Sequence, residues 1–156
     1  VWRESQEHPE FEEDPALFTR WKDQAARDGI RVRTGHWKIE GRPVAVLLDF
    51  TTFFTRKDEI FKSLWERYGL DSISGQWDYI EPVIFGYAAG RVVESFYEYY
   101  LGGTDKIIAQ FHEWLSAAGV LHLHEFVPQA GTVFTTHATA STTAKDPLRT
   151  TLTMRA

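Results

Sequence analysis

Lys106-Ile107-Ile108-Ala109-Gln110-Phe111 is a largely apolar run that passes directly into His112-Glu113-Trp114. Further on, Gly131-Thr132-Val133-Phe134-Thr135-Thr136 passes in the same way into His137-Ala138-Thr139. Each run reads as a buried strand, and Leu115 to about His122, between them, reads as a helix. Strand, helix, strand is the unit that builds a parallel sheet covered by helices. In open sheets of that kind ligands bind beyond the carboxyl ends of the strands. Both ends here carry histidine with Glu or Thr beside it, which makes them a candidate sugar- or phosphate-handling site. A helix starting after Trp114 would also present backbone amides toward an anion. A histidine at a strand end serves equally as a structural hydrogen-bonder, and the spacing alone leaves both readings open.

The alternation continues upstream. Asp14-Pro15 has the chemistry of a helix start, and Leu17, Phe18, Trp21 and Ala25 follow at helical spacing until Gly29. Ile30 to Ile39 reads as a strand, Glu40-Gly41-Arg42-Pro43 as a turn, and Val44 to Phe50 as a strand buried on both faces. Thr55 with Asp58 suggests a capping box, ahead of an apolar stripe of Ile60, Phe61, Leu64, Trp65 and Tyr68 that Gly69 stops. Gly75 to Tyr79 reads as loop. Glu81 to Tyr100 is a long helix with Pro82 in its first turn, apolar on most sides, hence core or subunit interface. The order predicts an α/β fold in one domain. Residues 1–13 are acidic and irregular. Residues 140–156, rich in Thr and Ala, lack a period and read as a poorly ordered or strand-prone extension.

Bulk properties narrow the function classes. The 156 residues are 43% apolar and 25% charged, which supports a folded domain rather than disorder. A net charge of -5 argues against nucleic acid as a partner, because phosphate needs a basic face; a neutral or sugar-like ligand fits better. There is no cysteine, so neither a disulfide framework nor a thiolate metal site is possible, and a reducing cytoplasm is compatible. No signal peptide is visible in Val1-Trp2-Arg3-Glu4-Ser5, and no apolar run approaches a membrane span. The opening lacks Met and reads as the interior of a longer protein.

Other chemistries find weaker support. His122-Leu123-His124 alternates as a strand would, and with His112, His137, Glu113 and Glu125 it invites a metal reading. No H-E-x-x-H is present, however, and a solvated loop near a helix end explains the pair as well. No nucleophile elbow, Walker pattern or G-x-G-x-x-G occurs. Asp78 and Glu81 suit a helix start better than an acid pair.

Taken together, several strings resemble one family. Phe111-His112-Glu113-Trp114-Leu115 and Phe134-Thr135-Thr136-His137-Ala138-Thr139 resemble F-H-E-W-L-A-G and I-F-T-T-H-A-T of the animal and fungal type of glycogen synthase, glycosyltransferase family 3. Trp37-Lys38-Ile39-Glu40-Gly41-Arg42-Pro43, Val46-Leu47-Leu48-Asp49, Asp58-Glu59 through Leu64-Trp65, and Phe85-Gly86-Tyr87 resemble further family strings in the same order. The resemblance covers about residues 15–139.

The resemblance implies a retaining glucosyltransferase that moves glucose from a sugar nucleotide, usually UDP-glucose, to the non-reducing end of an α-1,4-glucan such as glycogen. It implies a GT-B fold, with residues 1–139 forming part of the N-terminal Rossmann-like domain and residues 140–156 an atypical tail. It implies a cytoplasmic enzyme, homo-oligomeric at full length, with no membrane partner and no essential metal or other cofactor. Carried over by position, His112 is the catalytic residue: it positions the donor glucose and helps to stabilise the charged transition state. Glu113 and Trp114 support its loop, and Thr136, His137 and Thr139 line the same cleft. The sequence departs from the family at Ala117 (Gly there), at Ile80 (Asn there) and after Thr139, where Leu-Gly-Arg is absent. The family's glycine-rich loop and C-terminal domain are absent as well, so the chain is expected to be inactive alone. The alternatives are a stand-alone glucan-binding or regulatory module without turnover and, less well matched by these strings, another GT-B transferase.

Overall fold

Residues 38–43 are too few to carry a crossover between two strands lying the same way, so the chain must turn back on itself there. It does so with left-handed backbone at Gly41 (φ 79°) and Arg42 (φ 40°). The computed structural model of the protein describes residues 9–71 and 75–136. The elements are β1 (Phe11–Glu13), α1 (Thr19–Arg27), β2 (Arg31–Trp37), β3 (Val44–Asp49), α2 (Lys57–Tyr68), α3 (Trp77–Tyr100), β4 (Ile108–His112), α4 (Ala117–Phe126) and β5 (Gly131–Thr135), with 3-10 turns at Thr51–Arg56 and Trp114–Ser116. Strands β1, β2 and β3 form an antiparallel sheet with β2 in the middle, and β4 and β5 form a parallel pair.

The architecture is mixed α/β, as expected, but among the described residues the parallel arrangement holds only for β4 and β5. The hairpin accounts for the difference at β3. A strand buried on both faces was expected, yet Val44 is 50% exposed, Ala45 5% and Val46 36%, the alternation of a sheet covered on one side. Strand β4 is also half-covered: Phe111 is buried while Ile108 is 75% exposed. Among the described residues no helix is long and apolar enough to cross a membrane.

Local chemistry moves several helix boundaries. Asp14 does not start α1; its Oδ1 accepts the Ala16 amide at 3.0 Å in a tight turn, and Phe18 (φ 56°) interrupts the backbone before Thr19. The Thr55–Asp58 capping box does not form. Thr55 lies in a 3-10 turn and donates its hydroxyl to the Thr52 carbonyl at 2.9 Å, while Arg56 precedes α2 with no side-chain cap. Within the predicted α2 stripe Ile60, Phe61 and Leu64 are buried, but Trp65 and Tyr68 are exposed. Helix α3 begins at Trp77, within the expected loop, so Pro82 sits beyond the first turn.

Helix α3 joins two cores. One gathers Trp21, Ile30, Phe53, Ile60, Phe61, Leu64 and Ile84; the other gathers Tyr97, Phe111, Val120, Leu123 and Val127. Full burial of Ile30, Ile84 and Leu123 contributes about 1.5–3 kcal/mol each. Trp21 is fully buried, with its Nε1 donating to Ser95 Oγ of α3 at 3.2 Å.

The α3–α4 contact is backbone against backbone. A Cβ at Gly119 would lie 2.7 Å from the Gly86 carbonyl oxygen and would also strike the Phe111 ring; a Cβ at Gly90 would lie 2.9 Å from that of His122. His122 is therefore on a helix, correcting the strand-like and loop readings of His122-Leu123-His124. Residues two apart point to different sides of a helix, so His122 is buried and His124 exposed. His122 Nε2 and Arg91 Nη1 each lie 2.7 Å from Glu94 Oε2 in this interface. Burial alone would raise the Glu94 carboxyl, but the hydrogen bond from His122 and the charge of Arg91 outweigh it and hold the carboxyl below the usual glutamate range.

Two outcomes follow from this interface. Gly119→Ala should destabilise the fold by about 1–3 kcal/mol in urea unfolding, since overpacking against backbone exceeds the gain in helix propensity. Glu94 has a lowered folded pKa, so its contribution to stability is present above the unfolded value of about 4.3 and is lost as pH falls through the folded value. Glu94→Gln should flatten the stability–pH curve below about pH 4.3, as followed by urea midpoints across that range.

Candidate functional site

The register of β4 and β5 sets Phe111 opposite Phe134 and His112 opposite Thr135. The ladder runs one step past the strands, where the Glu113 amide donates to the Thr135 carbonyl at 2.9 Å. Side chains alternate along a strand, so Gln110, His112 and Thr135 share one face, while Phe111 enters the core on the other with Val120 and Leu123. On the shared face Gln110 Nε2 donates to Thr135 Oγ1 at 3.0 Å. His112 and Thr136 are exposed, and Trp114 is 52% exposed on the turn that follows. The result is a polar strand end with an aromatic ring beside it.

The backbone bends sharply at this point. Glu113 has φ 63° and ψ 161°, a conformation almost confined to glycine, at a cost of about 1–3 kcal/mol. Several contacts hold it there. The Ser116 amide donates to the Glu113 carbonyl at 3.1 Å. The Ser116 hydroxyl lies 2.7 Å from the His112 carbonyl oxygen and 3.1 Å from that of Glu113. Behind Ser116 lies Gly86 of α3, where a Cβ would come within 3.1–3.2 Å of the Ser116 backbone. Strain of this kind survives only where the surroundings over-determine it, and it concentrates at sites that handle ligands.

The structure thus brings His112, Glu113, Trp114 and Thr136 to one end of the parallel pair. His137 and Thr139 lie outside the described residues. Gln110, Thr135 and Ser116 were not singled out from sequence. Period-two alternation back from His112 would have found Gln110, and a serine just before an Ala-Ala-Gly helix start marks Ser116 as a helix-boundary residue. Among the described residues no group of three or more His, Asp or Glu side chains is placed to hold a metal ion.

Comparison with known proteins adds an independent line. The family model described as glycogen synthase matches residues 2–143. A glycogen (starch) synthase of Dictyostelium discoideum is 32% identical over 111 residues, 71% of this chain and 12% of that protein. One from Caenorhabditis elegans is 30% identical over 112 residues, 72% of this chain and 17% of its own length. A liver glycogen (starch) synthase of Rattus norvegicus is 30% identical over 117 residues, 75% of this chain and 16% of its own. The chain therefore spans less than a fifth of the length of these curated relatives.

The bend at Glu113 can be tested by inverting the usual residue order. Glu113→Gly and Glu113→Ala both remove the side chain but differ in backbone tolerance. The Gly variant should be the more stable by about 1–2 kcal/mol in urea unfolding; equal stability, or a more stable Ala variant, would mean that no strain is stored there.

Proposed function

The chain belongs to the glycogen synthase family, and on that premise we propose that the protein transfers glucose from UDP-glucose to the non-reducing end of an α-1,4-glucan, with retention of configuration. In this reading residues 1–139 are part of the N-terminal Rossmann-like domain of a GT-B transferase, and 140–156 an atypical tail. The full protein is a cytoplasmic homo-oligomer. The observation that carries the proposal is the end of the parallel pair, where His112 stands opposite Thr135 above a strained turn in a chain of this family.

Each residue then has a chemical task. Transfer breaks the bond from glucose C1 to the nucleotide phosphate and forms one to an acceptor oxygen, whose hydroxyl proton passes to the departing phosphate, with positive charge building on the sugar between the two events. His112, exposed at the strand end, holds the donor glucose and helps to stabilise that charge. Glu113 and Trp114 shape the loop that carries it, and Thr136, His137 and Thr139 line the same cleft. The departing nucleotide is an anion. A chain of net charge -5 is poorly suited to receive it, which favours a phosphate site on a second domain across the cleft. Donor and acceptor must be held together for transfer, so half of the cleft does not suffice.

The test is glucose transfer to glycogen from UDP-glucose, with ADP-glucose in parallel, by this chain and by the full-length protein that contains it. Only the longer protein should turn over, and His112→Ala in it should lower kcat by about 10²–10³-fold. Activity in neither, with glycogen retained by this chain, would favour a glucan-binding module instead.

A further inference from the structure

We propose that Ser116 is a positioning residue for His112, acting through the backbone turn between them; the proposal rests on the reading of His112 given above. Ser116 occupies the residue before α4, where a serine side chain ordinarily accepts a hydrogen bond from the amides ahead. Here it makes no such bond. Its hydroxyl is turned backward and lies 2.7 Å from the His112 carbonyl oxygen and 3.1 Å from the Glu113 carbonyl oxygen. Carbonyl oxygens only accept, so the single hydroxyl proton is shared between them. Those two carbonyls flank the residue with φ 63°. The hydroxyl therefore favours the one arrangement in which both carbonyls face it, and that arrangement fixes the backbone of His112 where β4 ends.

Ser116 is itself held. It is buried, and α3 approaches its backbone so closely at Gly86 that an added Cβ would meet Ser116 C, O and Cα at 3.1–3.2 Å. The line of support runs from α3 to Ser116, from Ser116 to the turn, and from the turn to the imidazole. Ser116 has no part in binding the sugar. Its loss should lower the fraction of enzyme in which His112 is correctly placed, and with it both the hold on the donor glucose and the stabilisation of the developing charge.

Ser116→Ala removes one oxygen from a buried site, creates no clash and installs the alanine of the string F-H-E-W-L-A-G, so it isolates what the hydroxyl does in this chain. In the full-length protein we expect kcat for glucose transfer from UDP-glucose to glycogen to fall about tenfold. In parallel, amide hydrogen exchange on this chain reads the turn directly, because the Glu113 and Ser116 amides are both hydrogen-bonded there. Exchange at these two amides should quicken about tenfold in Ser116→Ala, while core amides of α3 keep their rates. Adding Ser116→Ala to Glu113→Gly should change exchange far less, since glycine adopts the bend without help.

Unchanged exchange and unchanged kcat in Ser116→Ala would overturn the proposal. So would a loss of kcat matched by quickened exchange throughout α3, which would mark a general loss of stability, or an effect of equal size in the Glu113→Gly background. If the wild-type full-length protein transfers no glucose, the functional reading has failed, and the exchange cycle still decides whether Ser116 holds the turn.

Discussion

The contact on which the rest depends is the close meeting of α3 and α4 at their glycines, with the His122 side chain seated against Gly90. Gly119 leaves no room for a Cβ beside the Gly86 carbonyl, Gly90 makes space for the His122 side chain, and Gly86 lets the Ser116 backbone come close. Helix α4 is the crossover between the parallel strands, so its seat on α3 sets where both of them lie. The same seat carries the Phe111 ring against Gly119, the Ser116 backbone against Gly86 and the His122 imidazole against Glu94. A small gap opened here would be felt at the strand end, which touches the contact through Phe111 and Ser116.

Much of this arrangement is legible in the sequence, and the part that is not has physical causes. From α1 onward the strands and helices are legible in the right order because their hydrophobic periods differ, whereas residues 1–13 read as irregular and the three-residue strand Phe11–Glu13 is too short to show a period. The parallel pair was legible because a helix lies between its strands. The antiparallel sheet was misread although its signal was present: Glu40-Gly41-Arg42-Pro43 was recognised as a turn, and a turn that short forces a hairpin. Val44 to Phe50 looked like a doubly covered strand because an apolar residue does not say which of its faces will be covered. Helix starts at Asp14 and Thr55 failed for a different reason. Asp and Thr satisfy local backbone groups in turns as readily as in caps, and the choice is made by tertiary contacts that sequence does not display.

The candidate site divides in the same way. His112, Glu113 and Trp114 were legible as a string, and the structure adds why that string needs its surroundings. Nothing in the letters indicates that Glu113 adopts a backbone conformation suited to glycine, nor that Ser116 turns its hydroxyl backward. Both follow from contacts among residues far apart in the chain. The G-Y-A-A-G spacing of Gly86 and Gly90 was visible all along; its meaning depends on Gly119, which sits on another helix. Likewise the metal reading of His122 arises because a histidine looks alike in a strand and in a helix until its partner, Glu94, is seen beside it.

The parallel pair also bears on how the chain is made. Strand β4 cannot meet β5 until every residue from 108 to 135 is available, because the helix between them is part of the connection. For that interval, as the chain leaves the ribosome, β4 has no partner on this side, and its Ile108 face stays largely uncovered even afterwards. Unpaired strands with apolar faces are the segments that nascent proteins tend to mispair. Helices α3 and α4, close in sequence and needing only local contacts, can assemble first. The histidine-bearing strand would then be docked against a formed helical surface before its neighbour arrives, and the order of synthesis itself would protect it.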